Sequence, residues 1–200
     1  MKLSRICLSL TLIIGMFASF QSTGAQGNAG PRSVVDYFML LPAEHLSLLE
    51  HAKKNRKSLI QIQDLKNGYL GLSTVETEGA AQIALFRKAN REAIIAVSEF
   101  DCAPVCSGGL KLLQYKNGKW TDVTAQLLPQ IDDADILAAY NRVKAVDDEA
   151  HTLEDMPFTL WELPKKGTTL RLNLGEASSP SNKTLLKFAW KGDHFVKGAK

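Results

Sequence analysis

The stretch LKLLQYKNGKWTDVT, residues 110 to 124, has the pattern of a β-hairpin. Two runs that contain leucine, aromatic and β-branched residues flank the dipeptide Asn117-Gly118. Asn-Gly is the preferred pair for a two-residue type I′ turn, because both residues tolerate the positive φ angles that this turn requires. The sequence therefore predicts two antiparallel strands, at about 110–116 and 119–124, joined by a tight turn.

Similar short runs continue on both sides of this hairpin, and Gly, Asn and Pro residues separate them. Runs of this composition, bounded by turn residues, are typical of β-strands. Before the hairpin they predict strands at about 59–63, 69–75, 81–87 and 93–100, and after it at about 158–163, 168–174, 184–190 and 194–197. We therefore expect a meander of antiparallel strands.

The residues before the first strand show helical spacing. Ser33 and Asp36 resemble a weak capping box at the start of a short amphipathic helix that ends before Pro42. A second helical segment follows at about 43–53, and a basic run complements a helix C-terminus there: Lys53, Lys54, Arg56 and Lys57. The sequence thus predicts N-terminal helices that pack on the sheet.

One further helix interrupts the strands, between Ile131 and about Val146. Asp132 or Asp133 can cap its start, and one face carries an apolar stripe of Ile136, Leu137, Tyr140 and Val143. An acidic connector, 147–155, then leads back to strands. The predicted fold class is α+β, with N-terminal helices on antiparallel sheet and one helix inserted between two hairpin-rich β units.

The two β units, at about 59–128 and 157–197, share a weak sequence similarity. LKLLQYKNGKW at 110–120 aligns without gaps to LLKFAWKGDHF at 185–195, with aromatic residues and lysines at equivalent positions. A duplication would explain this match, but any two hairpins with aromatic residues beside the turn share the pattern. Both explanations predict hairpins at these two places.

Residues 1 to 25 have the pattern of a cleavable secretory signal peptide. Lys2 and Arg5 give a positive start, and the apolar stretch ICLSLTLIIGMFASF follows at 6–20. This stretch is shorter than the roughly 20 apolar residues of a membrane-spanning helix, and small residues lead to a cleavage point after Ala25. We expect a mature chain that works in the periplasm or outside the cell.

An uncleaved N-terminal anchor is the alternative, but no basic stop-transfer cluster follows the apolar stretch. A bacterial lipid anchor would need a cysteine at the cleavage point, and Cys7 lies before the apolar core. Residues 26–32 (QGNAGPR) are predicted to be a flexible lead-in, and 33–200 a single α+β domain.

The mature chain is predicted to be nearly neutral. The full sequence has 24 basic and 21 acidic residues, and the signal peptide removes Lys2 and Arg5 but no acidic residue, which leaves 22 basic against 21 acidic. Such a balance gives no global attraction to nucleic acid or anionic lipid. No later segment is long and apolar enough to cross a membrane, so we expect a water-soluble protein without nucleic-acid partners.

Two cysteines remain after cleavage, Cys102 and Cys106. An even pair in an oxidising compartment favours a disulfide. Redox-active pairs use Cys-x-x-Cys at the start of a helix, and two thiolates alone do not complete a zinc site. We therefore predict a structural disulfide between Cys102 and Cys106, with Pro104 in its tight loop, that stabilises the fold by about 2 kcal/mol.

No motif in the sequence assigns a catalytic, cofactor or metal site. The histidines form no ligand pattern: His45, His51, His151 and His194. The acidic groups lack the spacing of a calcium loop, and helix capping or a solvated connector explains them: Asp132, Asp133, Asp135, and Asp147, Asp148, Glu149. Serines at 73 and 107 lack the nucleophile-elbow pattern.

These observations favour a non-enzymatic protein that binds a protein or another component of the cell envelope or extracellular space. Two other functions are compatible with the sequence. One is an inhibitor of an extracellular enzyme that inserts a rigid Cys102–Cys106 loop, and the other is a hydrolase whose catalytic carboxylates are dispersed along the chain.

Overall fold

Within the part of the chain that the structure describes, ten β-strands form two antiparallel sheets. The structure is a computed structural model, and it describes residues 32–52, 55–73, 79–102, 106–144, 158–176 and 179–198. The predicted signal peptide, most of the lead-in and the acidic connector lie outside these residues. The predicted α+β class is confirmed.

The first sheet has six strands in the order in which they occur along the chain. They are β1 (Ile60–Asp64), β2 (Tyr69–Ser73), β3 (Ala80–Arg87), β4 (Ala93–Cys102), β5 (Cys106–Lys116) and β6 (Lys119–Asp122). The predicted turn between β5 and β6 is confirmed, since Asn117 and Gly118 have φ angles of 51° and 78°.

The second sheet has four strands, again with sequential neighbours paired. They are β7 (Thr159–Glu162), β8 (Thr169–Glu176), β9 (Ser179–Trp190) and β10 (Phe195–Lys197). The two stretches that align at the sequence level both form hairpins, β5–β6 and β9–β10. Whether the two units arose by duplication stays a prediction.

Four α-helices accompany the sheets in the described residues: α1 (Val34–Leu40), α2 (Leu48–His51), α3 (Thr124–Leu127) and α4 (Asp133–Lys144). The capping box of α1 is present, because the Asp36 N–H donates to the Ser33 hydroxyl and the Ser33 N–H donates to the Asp36 carboxylate. The segment predicted to be helical at about 43–53 contains a 3-10 turn, Ala43–His45, followed by α2.

Side chains from the two faces of the first sheet pack in different layers, because successive residues of a strand point to opposite sides. Along β4, Ile94 and Ala96 face the second sheet, whereas Ile95 and Val97 face the N-terminal helices. All four are at most 2% exposed. This burial on both faces explains why β4 reads as an apolar run rather than an alternating pattern.

We call the layer between the sheets the inter-sheet core and the layer under the N-terminal helices the helix-side core. The inter-sheet core contains Tyr69, Ala84, Phe86, Ile94, Ala96, Leu112, Val123, Leu127, Ala139, Tyr140, Leu163, Leu170, Leu172, Leu174, Leu185, Leu186, Phe188 and Phe195. The helix-side core contains Val34, Tyr37, Phe38, Leu41, Leu46, Leu48, Leu49, Leu59, Leu70, Leu72, Ala81, Ile83, Ala93, Ile95, Val97 and Leu113.

Arg56 connects the basic run to the first helix. Its guanidinium donates to the carbonyl oxygens of Met39 and Leu41 at 3.2 and 2.5 Å. These carbonyls lie at the C-terminal end of α1, where the last backbone acceptors of a helix have no intrahelical partner. Arg56 therefore caps the C-terminal end of α1. It does not cap α2, the helix that directly precedes it in the sequence.

Strand β7 lies across the first sheet, and polar side chains of that sheet bond to its free edge. The Ser98 hydroxyl in β4 donates to the Trp161 carbonyl oxygen at 2.8 Å, and the Leu163 N–H donates to Gln82 Oε1 in β3 at 2.7 Å. Ser98 and Gln82 are a cross-strand pair. Side chains of the first sheet thus provide hydrogen-bond partners for backbone groups at the partly buried edge of the second sheet.

Replacing Gly175 by alanine should lower the free energy of unfolding by about 1–3 kcal/mol, because a new methyl group would be forced into occupied space. An added Cβ would lie 2.2 Å from Cε2 of Phe158. The Gly175 N–H also donates to the Phe158 carbonyl oxygen at 2.8 Å, which holds the two backbones together. Urea unfolding of the two proteins measures the difference.

The matched control is Gly109→Ala, since no heavy atom lies within 4 Å of a Cβ at that position. We expect its free energy of unfolding to change by less than about 0.5 kcal/mol. Equal effects of the two substitutions would mean that Phe158 does not pack on Gly175.

Candidate functional site

The ends of β4 and β5 extend past β3. The pairing of β3 with β4 runs to Ala80 and Phe100, whereas β4 and β5 stay paired for two further positions, through Asp101 with Ser107 and Cys102 with Cys106. Among the described residues, this segment is therefore a two-stranded projection. We call its four residues, 101, 102, 106 and 107, the projecting hairpin.

The backbone places Cys102 directly opposite Cys106. Directly opposed residues of an antiparallel pair have Cβ atoms roughly 4.5–5.5 Å apart, and a disulfide needs about 3.5–4.5 Å, so a small adjustment suffices for a bond. The side chains of both cysteines lie outside the described part of the chain. The disulfide therefore stays a prediction that the strand register supports.

A cleft of about 330 Å³ lies beside the projecting hairpin. We call it the hairpin cleft. Its polar lining comes from three elements of the fold: His45 and Ser47 at the N-terminal helical segment, Glu99 and Asp101 on β4, and Lys111 on β5. Asp101 is exposed, and the Lys111 ammonium donates to the Glu44 carbonyl oxygen at 3.2 Å.

Glu99 connects the sheet to the start of α2. Its Oε1 accepts hydrogen bonds from the Ser47 hydroxyl at 2.6 Å and the Leu48 N–H at 2.9 Å, and its Oε2 accepts one from the Ser47 N–H at 3.1 Å. The first N–H groups of a helix have no intrahelical acceptor, and a carboxylate stabilises that end. Three donors thus hold Glu99 in a structural role.

Among the residues that the structure describes in the hairpin cleft, no serine hydroxyl is hydrogen-bonded to a histidine. In acyl hydrolases a serine hydroxyl is activated by a hydrogen-bonded histidine. Here the Ser47 hydroxyl donates to Glu99, while His45 Nε2 lies 3.7 Å from Glu44 Oε1. The polar groups that the structure describes in this cleft can bind a ligand or partner, but they are not arranged for acyl transfer.

A second polar group surrounds Glu162 on the second sheet. The Asn173 amide donates to Glu162 Oε2 at 2.8 Å, and Arg171 Nη1 lies 3.5 Å from Glu162 Oε1. Burial, and secondarily the negative charge of Glu162, raises the pKa of the Tyr69 phenol above its ordinary value. Tyr69 therefore keeps its proton at neutral pH and cannot serve there as a base.

The remaining residues singled out by the sequence lie apart from one another. Asp132 caps α4, as predicted, by accepting a hydrogen bond from the Asp135 N–H at 2.7 Å. His194 lies at the β9–β10 turn with its Nδ1 2.6 Å from Asp193 Oδ1, and His151 and the side chain of His51 are outside the described residues. Among the residues described, no three His, Cys, Asp or Glu side chains gather as a metal site.

Sequence reasoning missed two parts of this site. The predicted strands ended at about 100 and resumed at about 110, so residues Cys106–Gly109 (CSGG) were expected to lie between strands. They form the start of β5, and Gly108 lies under β7, where an added Cβ would be 3.0 Å from Leu160 Cδ2. Glycine in a strand can mark such a close approach, and this was the available signal. No signal predicted the contact of Glu99 with α2.

None of the helices in the described residues combines the length and the hydropathy that a membrane crossing requires. No protein-family model matches the chain, and no curated protein matches it.

The fold is similar to that of a solved structure of a domain of an uncharacterized protein from Porphyromonas gingivalis W83. It superposes with a TM-score of 0.51 and 13% sequence identity, over 84% of this chain and 99% of that one. At this identity the similarity concerns the fold alone.

Proposed function

We propose that this chain is an exported, non-enzymatic binding protein that contacts a protein partner through the projecting hairpin. The observation that carries the proposal is the extension of β4 and β5 beyond β3, with Cys102 opposite Cys106 and Asp101 exposed. A short two-stranded projection offers side chains and backbone edges to a partner, as in complexes formed by strand addition.

A disulfide across this projection would hold its conformation before binding. A segment that is already ordered loses less conformational entropy on association, and more of the contact energy then appears as affinity. The hairpin cleft adds complementary charges close by, Asp101 and Lys111, which would fix the orientation of a partner.

The partner could itself be an extracellular enzyme, in which case the chain is an inhibitor. The projecting hairpin favours this version, because inserted rigid loops suit a concave active site. The hydrolase alternative receives less support, since Ser47 and His45 face different carboxylates and Glu99 is held by α2.

We expect the native exported protein to contain no free thiol. Counting thiols with a chromogenic disulfide reagent, in denaturant and without reductant, measures this directly. After reduction, two thiols should react and the free energy of unfolding should fall by about 2 kcal/mol. Two reactive thiols in the unreduced protein would show that Cys102 and Cys106 do not form a disulfide.

The partner is sought by affinity capture from the envelope and culture fractions of the producing cells, with the chain from Gln26 as bait. Asp101→Arg reverses an exposed charge on the projecting hairpin. Lys119→Glu reverses an exposed charge at the opposite end of the first sheet, next to the Asn117-Gly118 turn, and serves as the control.

The proposal expects a stoichiometric protein that binds the unchanged bait and the Lys119→Glu bait, and that Asp101→Arg or reduction weakens by about tenfold or more. A partner bound equally by all baits would place the contact elsewhere. Failure to capture any protein would count against the proposal, and turnover of a hydrolase substrate by the purified chain would overturn it.

A further inference from the structure

A cleft of about 310 Å³ lies between α4 and the edge formed by β9 and β10. We call it the α4 cleft. Its walls are largely apolar: Ala138, Ala139 and Val143 on the helix, and Leu185 and Leu186 on β9. It is separate from the hairpin cleft, with which it shares no lining residue.

Small side chains on α4 account for the α4 cleft. Ala139 is fully buried against the second sheet, while Ala138 is exposed and Val143 is half-buried. A larger residue at position 138 would fill the space between helix and strand. The cleft thus presents a small apolar floor on which a hydrocarbon group could be buried.

Cations outnumber anions around this apolar floor. Arg142, Lys187 and Lys197 line the α4 cleft, against Asp135 alone. The ammonium of Lys197 pairs with the Asp135 carboxylate. Within the described residues, Arg142 and Lys187 form no ion pair, and both are exposed. Two uncompensated positive charges therefore remain at the mouth of the cleft.

We propose that the α4 cleft binds a small apolar carboxylate, with its hydrocarbon part between Ala138 and Leu185 and its carboxylate at Arg142 and Lys187. Arginine and lysine bind carboxylates through charge-assisted hydrogen bonds. Since a water molecule fills about 30 Å³, the cleft has room for a ligand of roughly ten non-hydrogen atoms. This site is independent of the proposed protein contact at the projecting hairpin.

Octanoate, with its eight carbons and two oxygens, is a suitable probe, and 1-octanol is its uncharged counterpart. Each is titrated into isotope-labelled protein, and backbone amide shifts are followed by NMR. We expect octanoate to shift amides of α4 and β9 and to bind about tenfold more tightly than octanol. Equal binding of the two, or shifts confined to other regions, would overturn the proposal.

Two variants distinguish the contribution of the positive charges to binding from that of the apolar lining. Arg142→Gln combined with Lys187→Gln should weaken octanoate about tenfold and leave octanol unchanged, whereas Ala138→Phe should abolish binding of both by filling the cleft. Lys119→Gln removes an exposed charge on β6 of the first sheet, outside the lining of the α4 cleft; it is the control and should bind like the unchanged protein. Its amide spectrum and that of Ala138→Phe report whether each variant is folded. Octanoate binding that survives both cleft variants would contradict the assignment.

Discussion

Replacing Phe188 by alanine is expected to lower the free energy of unfolding by about 3–5 kcal/mol. Phe188 lies on β9 with no solvent exposure, in the inter-sheet core, and its ring centroid is 5.4 Å from that of Trp161. Truncation would remove an aromatic ring from the layer between the two sheets. It would leave a cavity that the hydrogen-bonded strands cannot close. Denaturant unfolding followed by circular dichroism measures the change.

Val196→Ala provides the control on the neighbouring strand, because Val196 is 39% exposed. Its effect should stay within about 0.5 kcal/mol. A loss below about 1 kcal/mol for Phe188→Ala would mean that the two sheets do not form a common core around this side chain.

Replacing Phe38 by alanine should cost a similar amount, about 3–5 kcal/mol, on the other side of the first sheet. Phe38 belongs to α1 and is fully buried in the helix-side core. Its neighbour Met39 lies on the exposed face of the same helix at 39% exposure, so that Met39→Ala is the matched control and should have little effect.

The two phenylalanines also test the layered arrangement together. Because the first sheet separates the two cores, the Phe38→Ala and Phe188→Ala losses should add within about 0.5 kcal/mol, provided that double-variant stability is still measurable. Strong coupling between them would indicate one continuous core. A Phe38→Ala loss as small as that of Met39→Ala would contradict the packing of α1 on the sheet.

Elements with local signals could be predicted from the sequence. The Asn117-Gly118 turn requires positive φ angles, and Ser33 and Asp36 form a capping box across three residues. Both features can therefore be predicted from the local sequence alone. The α4 start at Asp132 is predictable for the same reason. In each case the deciding interaction joins residues that are close in sequence.

Elements decided by distant contacts were predicted less well. Strand β5 begins at Cys106 despite Ser107-Gly108-Gly109, because β7 packs closely over Gly108. The helical segment at 43–53 is interrupted before Ser47, and the backbone N–H groups of Ser47 and Leu48 each donate to a carboxylate oxygen of Glu99 on β4. The strand predicted at 119–124 ends at Asp122, and helix α3, which was not predicted, begins at Thr124.

In the candidate site, too, features with a local sequence signal could be predicted, whereas features set by distant contacts could not. Cys102 and Cys106 could be singled out from their number and spacing, but the register that sets them opposite one another on a projection depends on the pairing of whole strands. Both clefts bring together residues far apart in the chain, such as His45 with Lys111 and Ala138 with Leu185. A single sequence carries no direct record of such contacts.

The most direct test of the central claim is site-specific photo-crosslinking in the cells that produce the protein. A benzophenone amino acid replaces Asp101 on the projecting hairpin in one variant and Lys119 at the opposite end of the sheet in the other. We predict one crosslinked protein of defined mass from position 101 and none from position 119. Crosslinking at 119 alone, equal crosslinking at both positions, or none at 101 while the protein is exported and folded would contradict the assignment of the projecting hairpin as the contact surface.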